Sequence, residues 1–509
     1  MKPSGELFNL IKSLTKSEKR FFKLSSSLQS GDKNYLKIFD IIDKQAVYDE
    51  PGIKSEFEGE RFVKHFPSEK NHLYKLILKS LRAYYSDNSI NAVLNQEIKN
   101  IEILYRKALY KECDKFLRRA KKMAKQHEKF YYWFELIRVE KMLLEESFEE
   151  GIFTRSLDDL IVEEQEVIAK LRNLAEYHVL YSKVNYVFRS EGYVRDPKAR
   201  QIIDEVSENY LIIGKNTALS KRAATICFYT QGFCYSSNNK TDLSFIAFAQ
   251  VKRILDENPD LRKDLIGRYL RTIYNLIIIH IGRNEFRSAF KLIEELRALN
   301  KTEGYNSVDI QVRVFRATDM AELIIYDKLG EHKKAIEIID GILNKFELYK
   351  GKLNKEHLIS FYLMFAFTYF GAGEYNKALF WLNKIINDNE QTLRQDLYSY
   401  ARLFNLVVHY ELKNYELIDY LVKSTQRFLS KRKRDYSLEK TFISYIRRIN
   451  KYSNNEKLRD VFIEFREEME RLFKEPENRI MLTYFDYLSW LDSKIDQTSF
   501  SLAVQNRNI

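Results

Sequence analysis

The sequence predicts an all-α fold built from repeated helical hairpins. Three observations carry that expectation. Glycine and proline are scarce, 16 and 6 in 509 residues, while Leu, Ile, Lys and Glu abound, a composition that favours helices over turn-rich sheets. The prolines avoid long periodic runs: Pro51, Pro67, Pro197, Pro259 and Pro476 stand where helices can begin or end, and Pro3 is terminal. Finally, a short phrase recurs: a turn residue, then an aromatic or His, two variable residues and a small residue opening an apolar run. It reads Gly373-Glu374-Tyr375-Asn376-Lys377-Ala378, Gly330-Glu331-His332-Lys333-Lys334-Ala335 and Asn284-Glu285-Phe286-Arg287-Ser288-Ala289, with a looser copy at Lys413-Asn414-Tyr415-Glu416-Leu417-Ile418. This is the expected turn between two antiparallel helices.

The small residue of each turn serves as a marker. Ala289, Ala335, Ala378 and Ile418 follow one another at steps of 46, 43 and 40. Going backwards, Ala247, Ala199 and Cys113 fit at 42, 48 and 86, and the last step, about two repeats, implies a degenerate unit near Ser156. Two helices of about 17 residues plus short turns fill a period of ~44, each helix about 26 Å long. A hairpin of that size cannot bury its apolar face alone and must stack on its neighbour.

In chain order, residues 1–90 predict a compact, slightly basic helical cap of about five helices. Thr15-Lys16-Ser17-Glu18 has the form of a capping box. Asp32 is expected to cap a helix reaching Gln45, Glu50-Pro51 to open a short one, and Ser68 to cap a long one reaching Tyr85. Residues 91–430 carry the repeats. Their most apolar stretch, Leu358 to Gly373, contains Ser360 and Thr368 and is shorter than the ~20 residues a bilayer requires, so it reads as a buried first helix of a repeat. Ile273 to Ile281 has the same explanation. Within 431–497, three helices, Ser437–Tyr452, Glu456–Phe473 and Glu477–Ile495, are expected to close the open end of the stack. The polar tail 498–509 is expected to fray.

The unit at 362–385 resembles a tetratricopeptide (TPR) repeat. Tyr362, Phe365, Ala366 and Tyr369 stand where that family places its first-helix aromatic, apolar and small residues, and Ala378, Leu382 and Ile385 fit the second helix. The match at 273–296 keeps Leu276, Phe286, Ala289, Ile293 and Leu296, but Ile277 is large where a small residue is usual. Glu390 stands near the family's terminal proline, and the periods exceed the 34 residues of a regular TPR. The resemblance implies a TPR-like right-handed α-solenoid whose first helices line a groove. Carried over by position, Arg271, Tyr274 and Asn275 face that groove in one repeat, and Ser360, Leu363 and Phe367 in another. Because the second set is mostly apolar, the expected ligand is an apolar or amphipathic peptide segment rather than a carboxylate held by a cationic clamp.

The remaining patterns bound function. Net charge is +12, from 84 basic and 72 acidic residues interleaved along the chain, a mixed surface leaning mildly towards anionic partners. The three cysteines, Cys113, Cys227 and Cys234, show no disulfide or zinc spacing, and the latter pair reads as small buried residues on a helix. His65 and His72 are separated by Pro67, so ordinary surface or packing roles are expected. No serine-hydrolase, zinc-peptidase, phosphate-loop or dinucleotide-binding signature occurs. No cofactor or metal is expected. Met1 to Leu14 lacks a signal-peptide pattern, so a cytoplasmic protein without membrane association is expected. Lys111, Lys115, Arg118, Lys122 and Lys125 form a basic stripe opposite Cys113, Leu117, Ala120 and Ala124, as on an amphipathic second helix. Lys431, Arg432, Lys433 and Arg434 form a second basic run between helices. The leading expectation is a non-enzymatic scaffold that binds a protein or peptide. The alternative is a nucleic-acid-associated regulator, with the cap or these basic clusters on phosphate. An enzyme with an unrecognised site is the third.

Overall fold

The computed structural model describes residues 5–27, 34–87, 89–147, 156–191, 196–388, 394–452, 457–475, 478 and 481–507. Among them every regular element is a helix. The chain divides into two units, residues 1–168 and 169–509, the division falling inside the helix Leu157–Glu191.

The first unit begins with Glu6–Ser13, Lys16–Ser27, Asn34–Lys44 and Glu50–Glu56, then a 3₁₀ turn, Arg61–His65, leading into Phe66–Tyr84. The capping box forms: the Thr15 amide donates to the Glu18 carboxylate at 2.6 Å, and the Glu18 amide to the Thr15 hydroxyl at 3.2 Å. Asp49 caps the short helix through the Gly52 amide. The long helix starts at Phe66 rather than behind Ser68, because Pro67 takes its first turn without needing a donor. The expected cap Asp32 lies outside the described residues. Ile11, Phe22, Ile38, Phe39, Phe66 and Ile77 form the core of these helices. Ile90–Arg106, Tyr110–Gln126 and Phe130–Ser147 follow, each packed on the next. Ser156 precedes the 35-residue helix Leu157–Glu191, longer than the repeat helix expected there, and the residues leading into it, 148–155, lie outside the described residues.

The second unit is a run of hairpins. Their first helices are Lys221–Ser237, Ile266–Gly282, Val308–Lys328, Lys355–Gly371 and Gln395–Glu411, and their second helices are Thr241–Asp256, Phe286–Leu299, His332–Leu348, Tyr375–Ile386 and Tyr415–Lys431. From Ile266–Gly282 onward each first helix packs both on its own partner and on the next first helix. All seven marker residues, Cys113, Ala199, Ala247, Ala289, Ala335, Ala378 and Ile418, are buried.

The recurring turn has one geometry. Gly373, Gly330, Asn284 and Lys413 all have positive φ, between 57° and 80°. The next amide reaches back to the last helical turn: Glu374 to the Tyr369 carbonyl at 2.8 Å, Glu331 to Tyr326 at 2.9 Å, Glu285 to His280 at 2.9 Å and Asn414 to His409 at 3.0 Å. This is the Schellman helix ending. Three turns the phrase does not single out share it, at Ala108, Glu128 and Asn239.

Past residue 430, Ser437–Lys451 and Leu458–Phe473 lie close to expectation. The third expected helix is interrupted: Met481–Tyr484 and Tyr487–Ile495 are separate, with Phe485 at the break. Phe485 is inserted among Phe367, Phe370, Phe404 and Phe500, with ring centroids 4.5 to 5.7 Å apart. The expected frayed tail is instead the helix Phe500–Arg507, which returns onto the first-helix row. The Ser501 hydroxyl donates to the Gly371 carbonyl at 2.8 Å and the Gln505 amide to the Gly330 carbonyl at 3.4 Å, while Ala503 and Val504 are buried. The polar character of this segment belongs to its outer face.

Gly330 and Gly373 separate the two demands on these glycines. Both have positive φ, but a Cβ on Gly330 would stand 2.7 Å from the Ser501 carbonyl, whereas nothing lies within 4 Å of one on Gly373. Gly373→Ala should therefore cost about 1–2 kcal/mol, the left-handed penalty alone. Gly330→Ala should cost more and should also speed proteolytic release of the C-terminal helix. Urea denaturation and limited proteolysis of both variants check this, and equal losses would show that the helix does not dock there.

Candidate functional site

The predicted basic stripe lies on Tyr110–Gln126 in the first unit, with its five cations exposed and its apolar face buried. Two of the five are already paired: Arg118 with Asp114 at 2.7 Å, and Lys125 with Glu163 at 2.7 Å. The stripe's neighbour Lys121, which sequence reading passes over, is buried against Glu140 and Glu163. The Trp133 indole also donates to Glu163, at 2.6 Å. Burial raises the Glu163 pKa, but its bonds from Lys121, Lys125 and Trp133 outweigh that and hold the carboxyl down at about 2. This node ties three helices together, beside an open cavity of about 350 Å³ lined by Arg118, Lys121, Lys122, Lys125 and Glu140.

The second basic run, Lys431 to Arg434, forms a further Schellman turn. Lys433 has φ 55°, the Arg434 amide reaches the Leu429 carbonyl at 2.9 Å, Arg434 is buried, and the Arg432 guanidinium stacks 3.8 Å over Phe428. Cys227 and Cys234 are buried on Lys221–Ser237. Among the described residues no group of three His, Cys, Asp or Glu is placed to hold a metal, and no helix is long and apolar enough to cross a membrane.

The groove residues separate into two places. Leu363 and Phe367 are buried, Phe367 beneath Phe485, so the C-terminal segment occupies the apolar half of the first-helix row. Arg271 and Tyr274 instead line an open cavity of about 290 Å³ in the second unit. Asn275 adjoins them on the same helix, with its amide nitrogen buried and without a hydrogen-bond partner. The other walls carry Arg189 from the last turn of Leu157–Glu191, Arg313 and Arg316 from Val308–Lys328, Glu356, His357 and Ser360 from Lys355–Gly371, and Arg394. Arg313 reaches over Gly267, its guanidinium 3.9 Å from where a Cβ would stand.

Charge is unbalanced there. Arg313 pairs with Asp309 at 2.8 Å, and Arg394 holds Asp396 bidentately and Glu356 at 3.2 Å. Arg189, Arg271 and Arg316 have no carboxylate partner among the described residues. Burial lowers the Arg316 pKa to about 10 against the opposing pull of Tyr274 and Glu356, with smaller contributions from Arg313 and Arg189, and leaves it protonated at neutral pH. Burial first, and then Arg316, Arg189 and Arg313, depress His357 to about 3, so it is neutral. On the preceding first helix, buried Arg268 is lowered to about 10 by burial and by Arg271. The lining of this cavity is predominantly cationic.

The spacing of these arginines, scattered from 189 to 394, conceals the cavity in the sequence. One signal was available: Arg268 and Arg271, and Arg313 and Arg316, are both i, i+3 pairs on successive first helices. No protein-family model, curated protein or solved structure matches the chain.

Two pH dependences follow, one in each unit. Glu163 is lowered in the fold, so its stabilisation is complete above the unfolded carboxylate value near 4.5 and is lost as pH falls towards 2. His357 is also lowered, and for a base this removes stability as pH falls below the unfolded value near 6.5, by the order of 1–2 kcal/mol at pH 5. His357→Gln should flatten the loss between pH 6.5 and 5 in the second unit, and Glu163→Gln the loss between 4.5 and 2 in the first. Hydrogen exchange resolved by segment measures both, and unchanged slopes would reject these assignments.

Proposed function

We propose that the second unit is a TPR-like right-handed α-solenoid, and that the protein is a non-enzymatic interaction scaffold whose first-helix row receives a segment of a protein partner. The observation that carries this reading is the open cavity fed by several consecutive helices, with Arg189, Arg271, Arg313 and Arg316 converging where the C-terminal segment leaves the row uncovered. Successive Schellman turns and first-helix-on-first-helix packing support the solenoid reading. Its ligand is acidic rather than apolar, because the apolar positions Leu363 and Phe367 are already buried by the chain itself. Free, buried cysteines fit a reducing cytoplasm.

Arg271 is exposed and belongs to no ion pair among the described residues, so its truncation should leave the fold intact. Affinity capture from a cell extract with wild-type protein, Arg271→Ala and the double variant Arg271→Ala/Arg189→Ala checks the reading. The expected result is a protein retained by wild type and lost at least tenfold in the double variant, with unchanged helicity. A partner retained equally by all three would remove the cavity as the binding face.

A further inference from the structure

We propose that the arginine cavity is a site for a phosphoryl dianion. The inference rests on reading this face as a binding face, and it adds the chemistry of the group bound. Five guanidiniums line the cavity, and among the described residues the carboxylates paired with them are Asp309, Glu356 and Asp396. His357 is neutral at physiological pH and adds no charge. Two positive charges are therefore left over, the complement of one phosphate monoester near pH 7.

The residue type points the same way. Guanidinium presents a rigid fork of donors that matches phosphate and carboxylate oxygens in pairs, and arginine clusters are a recurrent means of reading phosphorylated or acidic motifs. The walls supply further donors in the Ser360 and Tyr274 hydroxyls, with Ala317, Met320 and Phe361 as an apolar base. At about 290 Å³ the cavity lies near the lower end for ligand pockets, room for a phosphoryl group and the atoms that carry it.

Several partly buried cations elsewhere are matched by carboxylates: Arg297 meets Glu294, Asp319 and Glu322, Lys252 meets Asp256 and Glu295, and Lys121 meets Glu140 and Glu163, whereas Arg268 meets the Thr225 hydroxyl and Arg402 the Phe428 ring. Arg316 is repelled by Arg313 and Arg189 and attracted by Tyr274 and Glu356, and a bound dianion would add to that attraction.

The test is calorimetric titration of the full-length protein with inorganic phosphate and with a degenerate phosphoserine peptide pool, beside its unphosphorylated counterpart, at constant ionic strength. Wild type, Arg316→Gln, Arg271→Gln and the surface control Arg172→Gln are compared. The expected result is phosphate-dependent binding weakened about tenfold or more by Arg316→Gln and Arg271→Gln, and unchanged by Arg172→Gln. Removing one of several mutually repelling cations should not unfold the unit, and circular dichroism of each variant verifies it. A phosphopeptide pool that binds tighter than phosphate identifies a modified protein segment as the source, and equal binding identifies a free phosphate ester. Either supports the dianion site. No binding of either probe to wild type, binding that ignores the phosphate, or equal affinity in the arginine variants overturns it. A protein captured through Arg271 in the face of such a null titration would leave the scaffold reading standing and reject the phosphoryl chemistry alone.

Discussion

One backbone conformation recurs wherever the chain reverses between hairpin helices: a residue at positive φ followed by an amide that reaches back into the last turn of the helix. That arrangement satisfies carbonyls that would otherwise be orphaned at the helix end. It also fixes the direction in which the next helix leaves, and so brings the small residue four or five places on against the first helix. Glycine takes the position at 330 and 373 without strain. Asn284 and Lys413 hold it at a cost of about 1–2 kcal/mol each, which the packing of the hairpin must offset. Aromatic residues after the turn assist: Tyr375 packs 5.2 Å from Phe370, Tyr415 5.7 Å from Tyr410, and Tyr110 5.7 Å from Tyr105.

Stacking hairpins in this way buries one face of the first-helix row and leaves the other in need of cover. From Val308–Lys328 to Gln395–Glu411 the chain supplies that cover itself. Phe485 and Phe500 complete an aromatic cluster with Phe367, Phe370 and Phe404, in which each favourable ring pair adds about 0.5–1.5 kcal/mol beyond area burial. Polar groups beneath it are partly matched, the His332 Nε2 being buried without a hydrogen-bond partner. The His332 ring meets Asp327 at 3.1 Å, and the Thr368 hydroxyl donates to the same carboxylate at 2.8 Å. Burial raises the Asp327 pKa, and those two partners work against the rise.

Legibility in the sequence followed the range of the interactions. The Thr15–Glu18 box, the glycine turns and the buried markers are set by residues within five places of one another, and these could be read directly. Helix ends shifted by a residue or two where a proline entered the first turn, as at Pro67. The destination of the C-terminal helix could not be read, since Ser501 meets Gly371 and Gln505 meets Gly330 across 130 and 175 residues. For the same reason Phe367 looked like a groove residue: its partner Phe485 lies more than a hundred residues away. Arg271 and Tyr274 were found from hairpin register alone, whereas Arg189 and Arg394 enter the cavity from outside the register and had no local signal.

Cover and charge together explain why the row is divided. An apolar segment lowers its free energy by lying on Phe367, Phe370 and Phe404, so the chain's own end is held there. The same segment over Arg271 and Arg316 would strip water from guanidiniums that have no carboxylate to replace it, a penalty of several kcal/mol per buried charge. The C-terminal helix contributes Arg507 rather than a surplus of acid, and its salt bridge to Asp486 is spent within the segment. It therefore cannot neutralise the arginines. The cationic stretch is left uncovered, and the boundary between the sealed and open parts of the row falls where the lining changes from phenylalanine to arginine.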